Sequence, residues 1–171
     1  MASIEEILKR AKPRTKVVSI CLDGELRGEH EALSAELERV QRESIGKMAG
    51  SAEARQVAER IQAVEADIAK AMQEFRFRGL SDFVLDQLME EFPAREGKRE
   101  AWNFAAASPK LVSLSAVEPA MTAEEASELR KSLAHADWDT LTSAAWDASA
   151  KKESVPFSVR ASALISTSAP K

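Results

Sequence analysis

Tyrosine is absent from this 171-residue chain, cysteine occurs once, histidine twice, and glycine and proline six times each. The lone Cys21 excludes an internal disulfide and fits a reducing compartment; its setting, Val17-Val18-Ser19-Ile20-Cys21-Leu22, suits a small buried hydrophobe. Met1 to Arg14 is amphipathic and charged and has no apolar core of a signal peptide. No run approaches the roughly 18 apolar residues of a bilayer span, so a soluble, cytoplasmic protein is expected. With 24 basic against 28 acidic residues and a net charge of −4, the excess positive charge that bulk nucleic-acid binding needs is missing. Collagen-like, mucin-like and disulfide-scaffold compositions are excluded as well.

What is present is alanine. Of the 44% of residues that are hydrophobic, 30 are alanines, leaving about 45 larger apolar side chains. That supplies one modest core and no large enzyme body with a deep pocket. Abundant Ala, Glu, Leu and Lys point to helix.

Ser3 is placed to cap a short helix to Ala11, with Ile4, Ile7 and Leu8 on one face. Lys16–Leu22 is rich in β-branched residues and is followed by Asp23-Gly24, which predicts a strand and a turn. Leu26, His30, Leu33, Leu37 and Val40 step by four and three. Val57, Ile61, Val64, Ile68, Ala71 and Phe75 resume the same spacing after a Gly-containing connector, Ser44–Ser51. The pattern predicts an antiparallel helical hairpin with each arm roughly 30 Å long. Glu29, Glu36, Arg39, Arg42, Glu59 and Arg60 lie away from the seam as a solvated face. The seam is satisfied within the hairpin or shared with a second chain. Glu74-Phe75-Arg76-Phe77-Arg78 alternates, so it either pairs with Lys16–Leu22 as a two-stranded base or continues the helix to Gly79.

The remainder reads as short helices. Ser81 starts one with Phe83, Val84, Leu88 and Phe92 on one side, closed by Pro93. Asn103 or Ser108 starts the next, which carries Leu111, Val112, Leu114 and Val117 to Pro119. Thr122 to Glu125 is a capping box for a helix through Leu129 and Leu133. Asp137 is read as the cap of another, with Trp138, Leu141, Ala145 and Trp146 inward, and a last helix spans Ser158–Ser166. The fold class expected is mainly α: a helical bundle with a projecting hairpin and a small two-stranded β element. Its parts are residues 1–24, the hairpin and return strand at 25–80, a bundle at 81–166, and a tail at 167–171.

Chemistry is scarce. His30 sits on the apolar seam and His135 in Leu-Ala-His-Ala-Asp, where a helix is expected to end; neither has zinc-ligand spacing. No serine or cysteine is paired in sequence with an evident base, and Gly46 and Gly50 lack the Lys-Ser/Thr of a P-loop. Asp137-Trp138-Asp139 is better explained as a cap and a core tryptophan than as an acidic metal pair. The expectation is therefore a non-enzyme with no catalytic, metal or cofactor residues. Trp102, Phe104, Trp138, Trp146 and Phe157 all lie in the C-terminal half. Most are needed as core, while one or two are candidates for an exposed protein contact, since tryptophan is enriched at binding hot spots.

Lys12-Pro13-Arg14 through Asp23-Gly24-Glu25-Leu26, then Glu29-His30-Glu31, resembles the opening of tail assembly chaperones from actinobacterial long-tailed phages. Phe75-Arg-Phe-Arg-Gly-Leu80, Phe92-Pro-Ala-Arg-Glu-Gly97, Trp102-Asn-Phe104, Glu118-Pro-Ala-Met-Thr122, Asp137-Trp138 and Val155-Pro-Phe-Ser-Val-Arg-Ala-Ser162 follow in that family's order. The resemblance covers Pro13 to Lys171. It implies a non-enzymatic protein of the infected host's cytoplasm that binds the tape measure protein while tail-tube protein polymerises around it, and that is absent from the mature virion. It also implies a partner in a longer, frameshifted form of the same chain. The competing expectation is a structural virion component, such as a head–tail connector or tail-completion protein.

Overall fold

The computed structural model describes residues 3–43 and 52–151. The expected connector Ser44–Ser51, the helix expected at Ser158–Ser166, Phe157 and the tail lie outside the described residues. Among the described residues the chain is mostly helical, with a small antiparallel sheet.

Helix α1 (Ile4–Arg10) opens with a complete capping box, Ser3 and Glu6 exchanging side-chain-to-backbone hydrogen bonds. Its apolar face is exposed, however, and joins no core among the described residues: Ile4 is 70% exposed and Leu8 68%. Strand β1 (Thr15–Cys21) follows, one residue earlier than the alternation predicts. It pairs antiparallel with β2 (Met72–Arg78), Val18 opposite Phe75 and Lys16 opposite Phe77. Phe75 and Phe77 are both buried, with their rings stacked 6.5 Å apart. The seam expected to run helically as far as Phe75 therefore stops at Ala71, because Phe75 and Phe77 have to reach the same side of a pleated strand.

Helices α2 (Gly24–Glu43) and α3 (Ala52–Ala71) connect these strands. Leu33, Val57 and Val64 are buried between them, with Leu37, Ile61 and Ile68 packed alongside. His30, placed on this seam by its spacing, stands at its edge, Nε2 3.2 Å from the Glu65 carboxylate. Arg60 and Glu36 face each other at 3.9 Å, a screened surface pair.

The remaining elements form the main core. Ser81 caps α4 (Asp82–Glu91), and Leu88 is buried and Phe92 packs on the core as expected; Leu85 is buried as well, whereas Phe83, expected on the same side, is 70% exposed. Asn103, not Ser108, caps α5 (Phe104–Ser115). Val117, read as helical, belongs instead to a third strand, β3 (Ala116–Glu118), which pairs antiparallel with the other edge of β2. The sheet therefore has three strands in the order β1-β2-β3 rather than two. Pro119 pushes Glu118 out of the helical region, so the helix cannot run up to it, and pairing with β2 then takes Ala116–Glu118 into the sheet. Thr122 and Glu125 form the expected capping box of α6 (Ala123–Ser132).

Helix α7 (His135–Ala150) crosses the inner face of the sheet. Its N-cap is Ala134, without a side-chain bond. The assignment of Asp137 as cap is thus wrong, and His135 opens this helix instead of closing one. Asp137 is buried in the first turn, where its carboxylate accepts two hydrogen bonds from Arg27 of α2, one at 2.9 Å. A carboxylate already satisfied by a guanidinium fork has no need of the helix amides. Lys16 of β1 likewise reaches Asp147 at 2.6 Å, and this ammonium holds the Asp147 carboxyl below its ordinary range.

Alanine decides how closely these layers approach. Ala144, Ala145 and Ala148 of α7 are buried in one cluster with Phe75, Phe77, Leu111 and Leu141. At Gly79, just past β2, a Cβ would stand 2.3 Å from the Ala148 carbonyl oxygen, so glycine is required there by contact. Full burial of each large side chain in this cluster contributes about 1.5–3 kcal/mol.

Candidate functional site

Trp102, Phe104, Trp138 and Trp146, four of the five aromatic residues that the sequence singles out, lie on or beside α5 and α7. The loop from Pro93 to Ala101 is closed by a β-bridge between Pro93 and Trp102 and by the Asn103 amide donating to the Phe92 carbonyl at 2.9 Å. Gly97, at φ 73°, lets this loop turn through a conformation that L side chains rarely adopt. Arg95 grips both carboxylate oxygens of Glu100 at 2.8 Å, which lowers the Glu100 pKa from the ordinary 4.5 to about 2. Loop closure of this kind fixes the position of Trp102.

Trp102 then packs on Phe104 edge-on, with ring centroids 5.3 Å apart, and on Trp146 at 5.8 Å. Phe104 and Trp146 meet edge-on at 5.9 Å. Edge-to-face geometry sets the positive ring edge against the negative face, adding about 0.5–1.5 kcal/mol per pair beyond area burial. All three rings are half-buried. Trp138 is buried one helix face away.

Beside this cluster lies an open cleft of about 300 Å³, bounded by Phe104, Ala105 and Ser108 of α5, Arg130 of α6, Leu133, and His135, Trp138, Asp139 and Thr142 of α7. Its wall is shaped by Pro109, which lies inside α5 and brings no backbone N–H. The Ala105 carbonyl, four residues earlier, would be left without its helical donor. It accepts instead from the Ser108 hydroxyl at 3.0 Å and from Arg130 Nη1 at 2.9 Å. Arg130 thus bolts α6 to α5 across the cleft while its guanidinium stays exposed. Apolar floor from Phe104, Leu133 and Trp138, with Arg130, His135 and Asp139 at the rim, makes a surface suited to an amphipathic protein segment.

Of the residues expected to bind protein, Phe104 and Trp138 line the cleft, and Trp102 and Trp146 support Phe104 from behind. Phe157 lies outside the described residues. Sequence reasoning passed over Arg130 and Ser108. The signal available was Pro109, because a proline within a helical pattern leaves the carbonyl four residues before it without a donor. Among the described residues no group of three His, Cys, Asp or Glu side chains is placed to hold a metal ion, and no helix is long and apolar enough to cross a membrane. No protein-family model, curated protein or solved structure matches this chain.

Proposed function

We propose that this chain is a tail assembly chaperone of a long-tailed phage, which binds the tape measure protein in the host cytoplasm and keeps it soluble while tail-tube protein polymerises around it. The observation that carries the reading is the ordered series of motifs from Pro13 to Ser162, above all Phe92-Pro-Ala-Arg-Glu-Gly97, Trp102-Asn-Phe104 and Glu118-Pro-Ala-Met-Thr122. The cleft beside Phe104 and Trp138 supports it, because a holdase requires an apolar surface with a polar rim that releases its client. In this reading, α4 to α7 receive a helical client segment at Phe104 and Trp138, with Trp102 and Trp146 holding Phe104 in place. Helices α2 and α3 are its projecting antiparallel hairpin. A frameshifted longer form of the chain works beside it, and neither form enters the virion.

The test is co-expression with the tape measure protein encoded beside it. Soluble client that appears only with this chain, and that is lost on Phe104→Ala with the fold intact, is the expected result. Client that stays insoluble with both the short and the longer form refutes the reading. Recovery of the chain from purified particles points to a structural head–tail connector or tail-completion role instead.

A further inference from the structure

The two edges of the sheet are built differently. The β3 edge is only three residues long, follows an irregularity in register at Arg76/Phe77, and ends in Glu118 and Pro119. Shortness, irregular pairing, charge and proline are the devices that stop a strand edge from recruiting another strand. The β1 edge runs for seven residues without proline or a break in register, and its one charge, Lys16, is turned to Asp147 of α7.

Two hydrogen bonds fix which groups β1 presents. The Gly79 amide donates to the Arg14 carbonyl and the Leu22 amide to the Ala71 carbonyl, at opposite ends of the β1–β2 ladder. With the register Thr15 opposite Arg78, even-numbered residues of β1 therefore bond to β2. Thr15, Val17, Ser19 and Cys21 turn their amides and carbonyls to the far edge, which pairs with no strand among the described residues. None of these four side chains is charged, and Val17 is 47% exposed.

We infer that β1 is a self-pairing edge, and that two copies of this chain associate through antiparallel β1–β1 addition about a two-fold axis at Val18. That axis sets Val17 opposite Ser19 of the second copy and Thr15 opposite Cys21, so every outward amide and carbonyl meets its complement. A strand edge alone is a small interface, and a stable one buries about 1,000 Å² or more. The same axis supplies the remainder. It puts Arg14, and so the start of the link to α1, beside Leu22 of the second copy. Only Ala11 to Pro13 separate that point from α1, which brings its exposed Ile4, Ile7 and Leu8 within reach of exposed Leu22 and Met72 of the second copy.

Sedimentation of the full chain over a concentration series, with hydrogen exchange at Thr15, Val17, Ser19 and Cys21, tests this. A reversible dimer is expected, with those four amides slowing as dimer forms. Val17→Pro removes one outward amide per copy and no bond to β2, so it weakens the dimer about tenfold or more. Ile7→Glu, on a side chain exposed in the single chain, weakens it in the same direction without touching the sheet. A chain that stays monomeric overturns the inference. Slow outward amides in that monomer would assign the edge to residues 152–171 of the same chain, and fast ones would leave it open. A dimer indifferent to both substitutions also overturns it.

Discussion

The main body and the α2–α3 pair are both helical, yet they are held together on different scales. In the body, Phe75, Phe77, Leu111, Val112, Leu141 and the α7 alanines form one buried cluster drawn from the sheet, α5 and α7. Between α2 and α3 the buried cluster is Leu33, Val57 and Val64, with Leu37, Ile61 and Ile68 alongside, and Val40 is buried further along α2. A seam one side chain wide opens locally at low cost, while a cluster shared by many elements opens only with the whole. The two regions meet at the sheet and at Arg27–Asp137, where α2 touches the first turn of α7.

Substitutions at graded positions break that contrast. Phe77→Ala empties the centre of the body, where the ring is fully buried. It is expected to cost about 3–5 kcal/mol and to lower the main thermal transition most. Arg27→Ala leaves the Asp137 carboxylate without its partner. Because Arg27 itself is 42% exposed, the expected loss is about 2 kcal/mol. It should appear as faster hydrogen exchange at the first turn of α7 together with the start of α2. Val64→Ala removes two methyls from the narrow seam, costing about 1–2 kcal/mol. Exchange in α2 and α3 should quicken while that of α5 and α7 stays put. If α7 follows, the two regions are one cooperative unit.

The smallest effect is one of pH. Glu100 is held at about 2 when folded against an ordinary 4.5, so the unfolded chain takes up its proton first as acid is added. The ion pair's contribution is complete above about pH 4.5 and disappears as pH falls towards 2. Glu100→Gln should flatten that part of a melting-temperature profile, and salt should do the same, since the pair is a surface one. Asp147 moves in the same direction under Lys16, so Lys16→Met should flatten it too.

These regions were also unequally legible. The α2–α3 seam is written in the spacing Leu33, Leu37 and Val57, Ile61, Val64, Ile68, because a helix with a single neighbour needs a single stripe. Caps at Ser3, Ser81 and Thr122 were legible for a similar reason, since each hydroxyl bonds an amide three residues on. Failures came where a distant partner intervened. Asp137 looks like a cap until Arg27, 110 residues away, takes its carboxylate. Phe83 looks like core beside Val84 and Leu88, but the packing buries Leu85 with Leu88 and leaves Phe83 exposed. For the cleft, sequence marked the aromatic residues and not Arg130, whose role follows from a carbonyl orphaned by Pro109 on a different helix.

Local chemistry alone thus sets the helical character, the caps, the α2–α3 seam and the alternation of β1 and β2, since each depends on neighbours within a few turns of chain. Tertiary structure decided the third strand, the burial of Asp137, the closeness of α7 to Gly79 and the walls of the cleft. Those depend on which surfaces of α5, α6, α7 and the sheet come into contact, and that choice is made by close packing between segments far apart in the chain.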